Sequence, residues 1–438
     1  MPQSIINSVS IKGTKAYKHS DGKFYALMVP CDADNNAQFL SLKVGESNTE
    51  TLTGIPALEA GKSYTYELTV GKNEVVVTGI TVKDWTTDKI INGVAELDTR
   101  PYLTFKAEGE QTFKMVNNGY FPSNIEYSVN DGEWNDVVAD EEVTFGGSNG
   151  TLCLRGTNLS GTAKDDNYFS TISFTNSGVK VACTGDIRTL LDYRNYKTVD
   201  TQNAKFCNLF ENCTALTFAP KLPAETLASN CYSEMFSGCT NLNTAPELPA
   251  TTLAEACYSE MFSGCTNLNT APSLPATKLV ENCYYNMFSG CTNLNTAPKL
   301  PATKLAYWCY YGMFNDCSSL TEAPILPAET LANGCYFYMF SGCKNLKTAP
   351  SLPATRLARY CYHSMFRGCT NLTSVTMLAP RDQITSKERC CDDWLNNAGT
   401  SAASRTLKVT DVDAYDALVS KGYLPADYWQ KGKCSVSW

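Results

Sequence analysis

Thiols far outnumber imidazoles in this sequence: 20 Cys stand against two His, His19 and His363. Three kinds of chemistry follow from such a set. A nucleophilic thiolate needs a base beside it, and after residue 19 His363 is the only imidazole to pair with a nearby Cys. His363 nevertheless occupies a repeated position that Ser259 and Tyr285 fill elsewhere, so repetition accounts for it without catalysis. A structural metal site needs closely paired Cys or His ligands, and no Cys-x-x-Cys pair is present. Disulfides remain open on composition alone. Gly146-Gly147 is a turn signal and not a phosphate loop, and the carboxylates are scattered. The expectation is a chain that is not an enzyme and needs no cofactor or metal.

The positions of the thiols are set by a repeat. Cys231, Cys257, Cys283, Cys309, Cys335 and Cys361 recur every 26 residues, each followed by Tyr. The unit is C-Y-x-x-M-F-x-x-C-x-x-L-x-x-A-P-x-L-P-A-x-x-L, and it extends over 205–378, with Lys205 opening a degenerate first copy. Thirteen Cys, from Cys213 to Cys369, occupy its two Cys positions. A unit this short cannot bury an apolar face alone and must stack on its neighbours. Leu279, Cys283 and Met287 recur at i, i+4, i+8, as do Val280, Tyr284 and Phe288, which predicts a helix over Thr277–Phe288 stopped by Gly290. Ala297-Pro298-Lys299-Leu300-Pro301 then forms an extended limb whose prolines interrupt any sheet ladder. Both Cys positions face inward. Stacked units place equivalent thiols about 5 Å apart, so a reduced ladder and bridges within it are both open.

Met-Phe-Ser-Gly-Cys-Thr-Asn-Leu resembles the F-x-G-C-x-x-L core of BspA-like leucine-rich repeats, in register seven times over. The resemblance implies an α/β solenoid of about seven coils in a bacterial cell-surface protein, with a role in adhesion. The proline-rich limb and the 26-residue unit depart from the common form of the family.

Before the repeats, residues 1–98 alternate apolar and polar residues as in an all-β sandwich, with strands over 23–29, 38–44, 63–70 and 74–77 and a turn at Gly71-Lys72-Asn73. The passage from Ala60 to Lys72, ending at Lys83-Asp84-Trp85, resembles the C-terminal half of fimbrillin-like domains, which build pili and related surface fibres. Residues 99–185 read as a second all-β domain. Residues 186–204, with a helix-like Asp186–Tyr196, read as an N-terminal cap of the solenoid at 205–380. Residues 381–438 read as a small α/β C-terminal cap, with helices over 386–397 and 411–421 and a strand over 405–409. A bridge from Cys390 or Cys391 to Cys434 and three free thiols there are both open.

The variable positions of the repeat carry the functional expectation. Tyr285, Tyr307, Trp308, Tyr311, Phe337, Tyr338 and Tyr360 cluster in the middle copies on outward positions, where flanking copies carry residues such as Ser259 and Glu260. Outward rings mark an interface when grouped. They form the candidate ligand-binding set, and rings packing only against each other is the competing reading. On solvent-facing positions, Trp308→Ala with Tyr311→Ser should lower stability only slightly. If the rings are not the site, the limb residues Lys221, Glu247, Ser273, Lys299, Ile325 and Ser351 are the alternative.

The net charge of −8 argues against nucleic acid and anionic membranes as partners, and no apolar run is long enough to span a bilayer. The N-terminal Met1-Pro2-Gln3-Ser4 stretch is polar and does not read as a signal peptide. The expected function is extracellular recognition or adhesion, presenting the repeats to a host protein or cell-surface glycan. The alternatives are a phage tail or receptor-binding protein and a pilus-associated structural subunit.

Overall fold

A computed structural model describes residues 101–438 and, before them, eight strands between Ile6 and Asp84. The chain separates into two compact units, Met1–Asp98 and Thr99–Trp438. In the first, Ile6–Ile11 pairs with Asp34–Val44, which pairs with Asn48–Ile55; Lys62–Val70 pairs with Val75–Asp84; every pairing is antiparallel. The expected strands over 38–44 and 63–70 lie within these. The turn at Gly71-Lys72-Asn73 falls outside the described residues, as does most of 23–29.

The second unit opens with two sheets. One orders Val143–Phe145, Gln111–Asn118, Tyr168–Phe174 and Ala163–Asp165; the other orders Asn135–Asp136, Ile125–Val129, Leu152–Gly156, Leu103–Ala107, Val181–Thr184 and Leu216–Phe218. Alternation does the sorting: along Gln111–Asn118, Phe113 and Met115 are buried while Lys114 and Val116 are only partly covered. Phe105, Phe113, Phe145 and Phe174 meet between the sheets at centroid distances of 5.5–6.4 Å.

Leu216–Phe218 belongs to the first repeat and pairs in parallel with Val181–Thr184, and Phe105 lies 6.3 Å from Phe210 of that repeat. One sheet and one core therefore run across residue 185. The expected helix at Asp186–Tyr196 shrinks to Thr189–Asp192. The Asp186 carboxylate accepts from the backbone N–H and guanidinium of Arg188 at 2.8–3.0 Å, which anchors a tight turn instead of a helix start. Ile187, Leu190 and Leu191 still bury fully.

The repeats contain no helix, which overturns the reading of Thr277–Phe288 and with it the α/β description of this region. Every fourth residue there is left-handed: Asn282 (φ 55°), Asn286 (φ 47°) and Gly290 (φ 72°). A right-handed helix cannot pass through such residues. The chain instead makes successive tight turns, and its N–H groups alternate between two destinations. Tyr285, Met287 and Ser289 donate within the repeat, to Asn282, Tyr284 and Asn286; Tyr284, Asn286 and Phe288 donate to Cys309, Tyr311 and Met313 of the next. An apolar period of four fits this staircase as well as it fits a helix.

Repeats joined this way bring equivalent rings face to face. Tyr232, Tyr258, Tyr284, Tyr310, Tyr336 and Tyr362 stack at 5.8–6.0 Å. The Phe column, in which Phe236, Phe262 and Phe288 were expected to stack, runs from Phe210 to Phe366 at 5.4–5.8 Å. All these rings are essentially excluded from water.

The second Cys of each unit has a specific partner. Cys239, Cys265, Cys291, Cys317, Cys343 and Cys369 each donate S–H to the Phe carbonyl of the preceding repeat at 3.0–3.1 Å. That carbonyl also receives the N–H of the Cys in its own repeat, as Phe236 O does from Cys239 at 3.1 Å. A thiol fills a dry core like a small hydrophobe and still supplies a weak donor, which serine would do only with a strongly hydrated group. The described cysteines are all free, and all but Cys434 are buried. Burial pushes the Cys265 and Cys283 thiols up to about 12, so they stay protonated and unreactive at neutral pH.

The proline limb behaves as expected. Single parallel bridges link Thr270, Thr296, Glu322 and Thr348 from repeat to repeat, and parallel strands from successive repeats pair at their far end, Thr348–Leu352 with Ser374–Met377.

At the C-terminal end the expected helix over 386–397 is displaced. Arg381–Ser386 is helical, and the turn staircase then resumes with left-handed Arg389, Asp393 and Asn397. Tyr362, Ser364 and Phe366 donate to Cys390, Asp392 and Trp394, so this segment is a further copy of the same backbone path, invisible to a strict 26-residue period. Thr406–Val409 continues the parallel sheet. Val412–Ser420 is a helix whose N-cap, Asp411, accepts from Ala414 N at 2.8 Å. Trp394 and Trp429 close the end fully buried, their indole N–H groups bonded to Tyr423 O and Ala398 O at 2.9 Å.

Candidate functional site

The seven candidate rings lie on one side of the staircase, in the columns just before and just after the Cys-Tyr pair. The position after Cys-Tyr holds Ser233, Ser259, Tyr285, Tyr311, Phe337 and His363 in successive repeats. The four rings stack on one another at 4.6, 5.1 and 4.3 Å, with interplanar angles of 11–23°. His363 is therefore a member of the ladder that the aromatic count missed; its column position was the signal. Tyr338 and Tyr360 pack around its end, 4.7 and 6.0 Å from Phe337.

The rings thus do not stand freely in solvent. Tyr285, Trp308, Tyr311, Phe337, Tyr338 and Tyr360 are half-buried, and of the seven only Tyr307 counts as exposed, at 40%. Burial pushes the Tyr311 phenol up to about 12. The expectation that Trp308 and Tyr311 contribute little to stability does not survive this packing, because it assumed a helix with its outer face in water.

Trp308 is held with particular firmness. It sits in the left-handed region at φ 50°, where a bulky residue persists only if its surroundings enforce it. Its indole meets Tyr307 at 4.5 Å, Tyr311 at 5.6 Å and Tyr285 at 6.2 Å. It also lies over Gly334 of the next repeat, where a Cβ would come within 2.4 Å of its Cδ1. Gly334 is thus the counterpart that a Trp at this position requires.

At the far end of the ladder, His363 Nδ1 is 3.0 Å from Ser364 Oγ and its Nε2 is 3.7 Å from Asp392 Oδ2. Those residue types suggest a nucleophile, base and acid, but Ser364 is fully buried and Phe337 covers one imidazole face. The arrangement orients a ring and gives a substrate no access to the hydroxyl. Burial lowers the His363 pKa, keeping the imidazole neutral. Nearby, Arg359 and Arg389 lie over Tyr360 at 4.7 and 5.6 Å and pair with Glu388 and Asp392. Among the described residues no group of three or more His, Cys, Asp or Glu could hold a metal ion.

Where the rings end, toward the first repeats, carboxylates take over. The left-handed column that carries Tyr338 holds Glu234 and Glu260 instead. Half-burial, with Glu260, Glu211 and Asp166 nearby, pushes the Glu234 carboxyl up to about 7. The alternative limb residues Lys221, Glu247, Ser273, Lys299, Ile325 and Ser351 are all exposed, Ile325 at 82%, but they mix charges, small polar groups and one apolar side chain without a common chemistry.

Residues 206–321 and 310–391 match the BspA type leucine rich repeat region, in six copies, and residues 3–85 match the fimbrillin-like family. No curated protein and no solved structure matches the chain.

Proposed function

We propose that this chain is a cell-surface recognition protein in which the BspA-type repeats form a right-handed solenoid of about seven coils and act as an adhesion surface toward a host protein or glycan. Two kinds of bacterial surface module in one chain are consistent with a surface protein. No helix among the described residues is long and apolar enough to cross a membrane.

The observation that carries the reading is the confinement of the ring ladder. Repeats with Ser233 or Ser259 at the ladder position keep the same backbone staircase and inner columns as repeats with Tyr285 or Tyr311. Folding therefore does not require the rings, and a local concentration of large amphipathic side chains is what recognition surfaces use. The chemistry is binding without catalysis. Display of residues 99–438 on beads, followed by capture of intact host or bacterial cells, tests this; beads that retain no cells above a bare-bead control refute it. The fimbrillin-like match favours a second role, incorporation into a surface fibre, which cofractionation with sheared fibres would reveal.

A further inference from the structure

In a stack of parallel rings each internal face is covered by the next ring. In the column Tyr285–Tyr311–Phe337–His363, with interplanar angles of 12°, 23° and 11°, the faces between neighbours are closed and only ring edges look outward there. A sugar binds an aromatic residue by laying its C–H face on the ring face, so the stacked faces of the ladder offer no such platform. Tyr307 differs. One face rests on Trp308 at 4.5 Å and 20°, among the described residues no other ring contacts it, and it keeps 40% of its surface exposed. The indole beneath is wedged among Tyr285 and Tyr311 and seated on Gly334, so the platform is rigid and loses little freedom when covered.

The rim of this platform carries planar hydrogen-bonding groups. Glu281 and Asn333 occupy the place of Tyr307 in the preceding and following repeats, and both are exposed; Asn333 Oδ1 already accepts from Arg359 N at 3.2 Å, which leaves its Nδ2 to donate. The repeats are bonded directly here, Asn282 N to Tyr307 O at 3.2 Å and Trp308 N to Asn333 O at 3.3 Å. A flat apolar ring flanked by a carboxylate and a carboxamide matches a pyranose, which presents one C–H face and a rim of hydroxyls.

Resting on the recognition reading above, we propose that Tyr307, supported by Trp308, is a stacking platform for the pyranose ring of a neutral glycan, with Glu281 and Asn333 bonding its hydroxyls.

The test uses the full chain on a printed array of neutral and acidic glycans. It is followed by saturation-transfer NMR with methyl β-D-glucopyranoside and methyl β-D-galactopyranoside. The expected result is retention of neutral glycans, with saturation reaching the ring C–H protons. Tyr307→Ala should weaken binding about tenfold or more, whereas Tyr307→Phe, which keeps the face, should bind within about twofold. Gly334→Ala should weaken binding from beneath by displacing Trp308. An array that retains nothing, together with no saturation transfer from either glycoside, overturns the proposal; so does retention unchanged by Tyr307→Ala in a folded variant. If cell capture is lost in Tyr307→Ala yet survives periodate oxidation of the cell glycans, the pyranose assignment fails while the recognition reading stands with a protein partner.

Discussion

Inside the repeats, Tyr258, Tyr284 and Tyr310 stack at 5.8–5.9 Å and exclude water; on the outside, Tyr285, Tyr311 and Phe337 stack at 4.6–5.1 Å and stay half-exposed. Both columns are products of the same backbone. Each repeat hands alternate N–H groups to the next, so any side chain recurring at one position meets its equivalent at stacking distance. Burial makes the difference. An inner position must fill a close-packed space of fixed volume, and it holds Tyr or Phe throughout. Along the middle of the outer column solvent is an alternative neighbour, so half-covered Ser259, Tyr311 and Phe337 are all accommodated on one path. Stacking geometry is thus set by the fold, while ring identity on the outer column is left free for another purpose.

The largest effect should come from hollowing the inner column. Phe288→Ala leaves a cavity between Phe262 and Phe314 and should cost about 3–5 kcal/mol in denaturant melts. A loss below about 1 kcal/mol would erase the distinction between columns. Next comes the outer ladder. Tyr311→Ser removes stacked contacts to Tyr285 and Phe337, each pair worth about 0.5–1.5 kcal/mol, so a loss of about 2 kcal/mol is expected. A loss equal to that of Phe288→Ala would mean the ladder is core.

A third test asks what the early repeats keep where later ones keep rings. Glu234 has its folded pKa raised to about 7 from an ordinary 4.5. Its protonated form therefore stabilises the fold below about pH 4.5, and that stabilisation is lost as pH rises through 7. Glu234→Gln should raise Tm relative to the parent at pH 8, and the gap should close toward pH 4.5. A gap independent of pH would show that the carboxylate is not confined. The smallest effect is expected from Ser289→Ala, on an outward position with its Oγ 3.5 Å from Asn315 Nδ2. Its melt should lie within about 0.5 kcal/mol of the parent.

The repeat, the inward residues and the weak proline limb were legible from the sequence because each depends on recurrence or on local chemistry. Recurrence forces equivalent residues to stack, apolar recurrence sends them inward, and proline cannot donate to a ladder. The helix misread was also local, since three apolar residues at i, i+4 and i+8 suit a helix or a run of four-residue turns. Asn282, Asn286 and Gly290, one every fourth residue, were the telling signal, because Asn and Gly tolerate the left-handed region.

Other features needed the tertiary structure. The copy at 389–397 follows the staircase with a 29-residue offset, which no fixed period detects. The sheet crossing from Val181–Thr184 into Leu216–Phe218 is a non-local pairing that neither strand announces. The candidate set of seven rings was found by type and place, but the stacking of Tyr285, Tyr311 and Phe337 into one ladder beside the more exposed Tyr307 was not. Which face of a ring meets solvent depends on the orientation of its neighbours, and that orientation is fixed by hydrogen bonds between repeats rather than by the residues of any single one.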